Sequence, residues 1–172
     1  DNIIVPPSKS GLIIYNQMNE ISNGGMLSQE VTDNTGYTSI GADDFIVPAG
    51  ETWNIRHVAI AGSNSNASGI PVSSVNVFIY SDEIGMPADE LFSFLNISSV
   101  TQMPLGAGID KLEITLPTSL DLPAGHYWLA VQVVGGSDVL QWYWSEEVGL
   151  PIEKEYHWKN PLDGLGTGYI DW

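Results

Sequence analysis

The segment Val47-Pro48-Ala49-Gly50 returns seventy-five residues later as Leu122-Pro123-Ala124-Gly125, each time set between strand-like apolar stretches. Phe45-Ile46 precedes and Thr52-Trp53 follows the first copy; Leu120-Asp121 precedes and His126-Tyr127-Trp128 follows the second. Proline fixes φ and withholds a ladder donor, while a glycine two positions on can take the positive φ that closes a turn. Each copy is therefore expected to end one strand and start another. The repeat constrains architecture and carries no chemistry.

Period-two alternation supports the same class. Val75, Val77 and Ile79 alternate with Asn76, Phe78 and Tyr80, and Leu112, Ile114 and Leu116 alternate with Lys111, Glu113 and Thr115; each run has one inner face. Tyr127, Leu129, Val131 and Val133 form another inner row, but Trp128, Ala130 and Val134 make the opposite face apolar too, as in a strand covered on both sides. Its expected neighbour is Val139 to Ser145 across a Gly135-Gly136-Ser137-Asp138 hairpin loop. Near Arg56 and His57 the apolar parity slips from odd to even, which a β-bulge explains. Leu12 to Gln17, Thr38 to Val47, Leu91 to Val100 and Gly168 to Trp172 complete the strand candidates, while Asn19 to Gly36, Gly62 to Pro71 and Glu146 to Gly166 read as long loops. Asn19 to Gly36 has three readings: an irregular strand, a cover over a sheet edge, or a mobile segment. About nine or ten strands at this spacing predict an all-β, two-sheet antiparallel β-sandwich. Residues 1–172 fit a single domain, with 1–36 its least defined edge segment.

Charge narrows the partners. Five Lys and Arg against twenty-one Asp and Glu give a formal net charge of −16, which repels phosphate backbones and anionic membrane surfaces. Nucleic acid is not expected as a partner. Membrane insertion is not expected either, because no window supplies the roughly twenty apolar residues of a spanning helix. With no cysteine there is neither a disulfide framework nor a thiolate site. The chain opens on Asp1 without a charged-then-apolar leader and reads as a mature form or an excised module.

Four stretches carry a resemblance: Ala42 through Trp53, Ser74 through Tyr80, Leu122 through Trp128, and Gln141-Trp142-Tyr143-Trp144. From about Gly36 onward the chain resembles a jelly-roll-type sandwich module found in large secreted and cell-surface bacterial proteins. The resemblance implies secretion or surface location and an accessory role beside other domains of a larger parent, and it supplies no catalytic residues. Where such modules have a glycine-rich Asp-Asn-Gly-Gly-Leu-Pro-like loop, this chain has Ser81-Asp82-Glu83-Ile84-Gly85-Met86-Pro87. The Gly164-Leu165-Gly166-Thr167-Gly168-Tyr169 run fits their glycine-rich ending and is read as a tight return into a last strand.

Candidate chemistry is sparse. His57, His126 and His157 lie in no zinc-ligand spacing, and neither a Gly-x-Ser-x-Gly elbow, a P-loop nor a dinucleotide fingerprint is present. No enzymatic activity is expected. Calcium takes six to eight oxygens from carboxylates and carbonyls, and two acidic groups qualify: Asp43 with Asp44, and Asp82 with Glu83 and Asp89. At least one of Asp43 and Asp44 should face inward or a sheet edge, where a calcium ion or a basic group such as Arg56 would relieve the cost of its charge. The alternative is solvated surface charge. Trp142, Tyr143, Trp144 and Trp158 are the candidate ligand-binding rings, since exposed aromatic faces stack on sugars while nearby acids and amides accept hydroxyl hydrogen bonds; filling of the core is the alternative. The expected function is a non-catalytic secreted module that binds polysaccharide or another cell-surface component. A structural spacer or protein-interaction domain, with or without calcium, and a small hydrolase with loop carboxylates are the other readings.

Overall fold

The computed structural model describes residues 13–18, 20–65, 70–138, 140–147 and 155–172. Regular structure there is β throughout, apart from one 3-10 turn at Thr35–Tyr37. The strands are β1 (Ile21–Leu27), β2 (Gln29–Val31), β3 (Ile40–Asn64), β4 (Val75–Glu83), β5 (Met86–Ile97), β6 (Val100–Gly106), β7 (Ile109–Gly135), β8 (Trp142–Glu147) and β9 (His157–Lys159). All nine join one hydrogen-bonded sheet, and every pairing between strands is antiparallel except that of β2 with β7. No helix among the described residues is long and apolar enough to cross a membrane.

The spine of the sheet is a ladder between β3 and β7. It runs from Ala42↔Ala130 to Val47↔Gly125, resumes at Thr52↔Pro123, and continues to Gly62↔Asp110. Residues 48–51 thus face the single residue Ala124, and the two Pro-Ala-Gly copies lie side by side at one bend. They do not end strands, as the sequence alone predicts; they turn a corner inside two continuous ones. Pro48 is tolerated because the bulge leaves its missing N–H without a ladder partner. The glycines serve different needs. Gly50 has φ +84°, whereas Gly125 is not in the left-handed region. A Cβ on Gly125 would stand 2.9 Å from the Tyr127 hydroxyl, which donates to the Pro123 carbonyl at 2.9 Å. A second register shift falls between Ile55↔Leu120 and His57↔Thr115, where the sequence places a bulge. Across it the buried row of β3 passes from Trp53 and Ile55 to Val58 and Ile60.

The bend divides the sheet into two arms. In the first, the end of β7 lies between the start of β3 and β4, with β5 beyond β4, β9 against the start of β3, and β2 along the last residues of β7. In the second, the start of β7 lies between the end of β3 and β6, and β8 and then β1 extend from the end of β3. One apolar cluster draws on both arms: Val77, Leu129 and Val131 from the first, Ile60, Leu112 and Trp142 from the second. Phe45 and Trp53, on opposite sides of the bend, stack at 6.1 Å with an interplanar angle of 9°. Fully burying an aliphatic or aromatic side chain of this kind contributes about 1.5–3 kcal/mol.

Three strand expectations are corrected. The chain after Gly135 does not return beside β7 as a hairpin, because β4 takes one edge of that part of β7 and β2 and β3 take the other; β8 pairs instead with β3 and β1. Val139, where that strand was to begin, lies outside the described residues. Gly168 to Trp172 is not a strand, and neither are residues 13–17, Leu12 lying outside the description. Asn19 to Gly36 contains β1 and β2, with β1 at the end of the strand order and its register shifted between Ile21 and Gly25. Residues 66–69 and 148–154, in two expected loops, also lie outside the described set.

The outer face of the first arm positions the site. Ile40, Ala42, Tyr80, Trp128 and Ala130 form a second buried cluster there, as the two-sided apolar pattern of β7 predicts, and Trp172 packs against it. The C-terminal segment is therefore the cover over this face.

Candidate binding groove and the Asp44–His126–Asp82 cluster

Asn160 fixes the C-terminal segment. Its side chain is fully buried and its amide donates 2.8 Å hydrogen bonds to the Gly36 and Thr38 carbonyls. The side-chain oxygen accepts from the Leu165 N–H at 3.0 Å, while the backbone N–H donates to the Tyr169 carbonyl at 2.7 Å. Gly164 approaches Gly36 so closely that a Cβ would fall 2.3 Å from the Gly36 oxygen. The glycine-rich run thus docks onto the chain around Gly36.

That return opens a groove of about 730 Å³. Tyr156, His157 and Trp158 form one wall; Tyr169, Asp171 and Trp172 form another. Gly85 and Met86, from the β4–β5 hairpin, and Met26 of β1 complete it with Glu155. Trp158 is locked by donation from its Nε1 to the Leu27 carbonyl at 2.6 Å, and its ring meets that of Tyr169 edge-on at 6.3 Å. Tyr169 is 64% exposed. The Lys159 ammonium lies 4.2 Å from the Trp172 ring centroid and 3.8 Å from the Asp171 carboxylate. Burial lowers the Lys159 pKa, an effect opposed by Asp171. The Tyr156 hydroxyl is held well above its usual range, first by burial and then by Glu146.

The hairpin at the rim is strained. Glu83 pairs with Met86, leaving Ile84 and Gly85 as a two-residue turn with φ values of +57° and +79°. Such a turn favours Asn or Gly, and a β-branched residue at positive φ is an outlier. Ile84 is 92% exposed, so packing does not explain its presence.

Beneath the groove, Asp44 and Asp43 of β3 are both buried. Asp44 Oδ2 lies 2.5 Å from His126 Nε2, and the other ring nitrogen of His126 lies 3.3 Å from Asp82 Oδ1. Trp128 Nε1 donates to the same Asp82 oxygen at 2.9 Å, stacks near His126, and meets His157 edge-on at 5.0 Å. The basic group beside Asp44 is therefore His126 and not Arg56, which is exposed. A buried carboxylate is stable only when paired and hydrogen-bonded. Asp43 accepts the Asp44 N–H at 3.1 Å.

The sequence-selected residues separate. Trp142 and Trp144 share the inner face of β8 and are buried in the core, so they offer no ring to a ligand; this corrects their place among the candidate binding rings. Tyr143, on the other face, is half-buried beside a different depression, and Trp158 alone of the four lines the groove. Asp82 accepts from the Trp128 indole and the Gly85 N–H, whereas Glu83 and Asp89 are exposed. Among the described residues no three His, Asp or Glu side chains converge as a metal-holding group. Tyr169, Trp172 and Asp171 were not selected from sequence as site residues; the signal for them was the aromatic spacing after the glycine-rich run.

Comparison of the chain with known protein families, with curated proteins and with solved structures finds no match. The fold defines an all-β protein built on one bent sheet, with an aromatic groove on its outer face.

Proposed function

We propose that this protein is a non-catalytic module that binds carbohydrate through the groove between Trp158, Tyr169 and Trp172. The observation that carries the reading is the groove's composition: aromatic rings set at an angle to one another, with carboxylates of Glu155 and Asp171 at the same opening. Sugar rings present C–H faces that stack on aromatics and hydroxyls that donate to carboxylates. The strained, exposed Ile84 beside the groove supports a contact role, because local strain persists where function or surrounding structure requires it. On the same reading the two arms are the layers of a jelly-roll-like sandwich, and the chain serves as an accessory part of a secreted or surface-attached bacterial protein. The core shared between the arms supports the layered arrangement.

The test is affinity electrophoresis and a glycan array with the parent chain and Tyr169→Ala. Retention by a polysaccharide, weakened severalfold by the substitution, is expected; no retention on any glycan refutes the reading. A second reading, a protein-interaction module, draws on β5, which closes one end of the strand order and exposes Leu91 and Leu95. Unpaired sheet edges of this kind accept added strands. Concentration-dependent sedimentation that Leu95→Lys abolishes would favour it.

A further inference from the structure

The charge around the groove narrows the carbohydrate class, an inference that rests on the binding reading above. The molecule already seats one ammonium there: that of Lys159, between the face of Trp172 and the Asp171 carboxylate. An indole face attracts a cation through its quadrupole, and most strongly where water is partly excluded. Lys159 is 19% exposed at its side chain, so its ammonium is such a case.

Among the described residues, carboxylates at and beside the opening outnumber its bases, the Lys159 ammonium and the His157 imidazole. Glu155 and Asp171 line it, Glu83 stands at the end of β4 next to the hairpin that forms its edge, and Glu146 acts on Tyr156 in its wall. Of the other Lys and Arg among the described residues, Arg56 lies on the second half of β3 and Lys111 is paired with Glu113 on β7. The whole chain carries −16. A uronate or sulfated polymer therefore enters against repulsion, a neutral glycan gains stacking and hydroxyl contacts alone, and a protonated amine gains the field as well. The Asp171 side chain is 86% exposed, within reach of a ligand approaching along the groove.

We propose that the groove selects carbohydrate bearing protonated amines, the deacetylated hexosamine class, over neutral and anionic glycans. The experiment is titration calorimetry of the intact chain at mildly acidic pH with four probes of matched length: glucosamine hexamer, N-acetylglucosamine hexamer, cellohexaose and a polyuronate hexamer. The amine-bearing hexamer is expected to bind at least about tenfold more tightly than its acetylated counterpart, and added salt should shrink that ratio. In the Glu155→Gln/Asp171→Asn double variant the ratio should fall toward one while the acetylated hexamer still binds, an outcome that a purely structural role for these exposed acids would not produce. Equal binding of the amine-bearing, acetylated and cellulose hexamers overturns the inference and leaves the carbohydrate reading standing. A ratio unchanged in the double variant also overturns it. Binding of none of the four removes both.

Discussion

Replacing Asn160 by aspartate changes almost nothing in volume and removes both amide donors, so it isolates the hydrogen bonds that hold the C-terminal return. Two 2.8 Å bonds to the Gly36 and Thr38 carbonyls are lost, and a buried carboxylate is set against those oxygens; the bond from Leu165 remains available. A typical intramolecular hydrogen bond contributes about 1 kcal/mol net, and leaving a buried acceptor unsatisfied costs about 1–3 kcal/mol. Gly36 keeps the Gly164 N–H as a donor, so the full penalty falls on Thr38 and on the new charge. The sum is a loss of about 3 kcal/mol or more, or roughly 6–12 °C in melting midpoint for a chain of this length. Denaturant unfolding followed by tryptophan fluorescence measures it, and hydrogen exchange over residues 160–172 shows where the loss lies. Ligand binding should fall together with protection of that segment, because Tyr169, Asp171 and Trp172 ride on it. A loss below about 1 kcal/mol, with protection unchanged, would refute the reasoning.

Other substitutions separate the remaining forces. His126→Leu removes the nearest basic group from the buried Asp44 carboxylate and is expected to cost about 3 kcal/mol in urea unfolding, with Asp44→Asn restoring part of it in the double variant. Gly62→Ala would set a Cβ 2.5 Å from both the Trp142 ring and the Tyr143 carbonyl, whereas Gly50→Ala meets open space and bears only its positive φ; the first should lower the melting midpoint several times more than the second, which costs about 1–2 kcal/mol. Ile84→Gly relieves the β4–β5 turn and should stabilise the chain by about 1 kcal/mol in the same assay. Tyr80 and Tyr156 have raised pKa values, each chiefly through burial. A raised value in the folded state means stability fully present below the unfolded tyrosine value of about 10 and lost as pH climbs toward the folded one; spectrophotometric titration should show these two ionising above that value, together with unfolding.

Local chemistry made the strands readable. Val75-Val77-Ile79 and Leu112-Ile114-Leu116 are buried rows in the structure, and the parity slip at Arg56 and His57 coincides with a register shift. Both signals arise from side-chain direction along a single strand, which the sequence records directly. Partner choice is different. Nothing near Trp142 states that β2 and β3 will occupy the edge of β7 that a hairpin would have used, and that competition is settled between segments far apart in the chain. Trp142 and Trp144 are both buried, which is the core-filling alternative for those two rings. The histidine beside Asp44, His126, is eighty-two residues away, so that pairing is not written in the local sequence. Tyr169 and Trp172 reach the groove because Asn160 and Gly164 pin the return against Gly36, a contact between segments more than 120 residues apart.

The paired corners also dictate an order of events when the chain is made. β3 hydrogen-bonds with β7, β8 and β9, all of which leave the ribosome after it, and β1 and β2 wait for β8 and β7. Only chain neighbours, β4 with β5 and β6 with the first residues of β7, can pair with each other at once. Closing such distant contacts is entropically slow, so most of the nascent polypeptide must remain without its sheet until the final third has been synthesised.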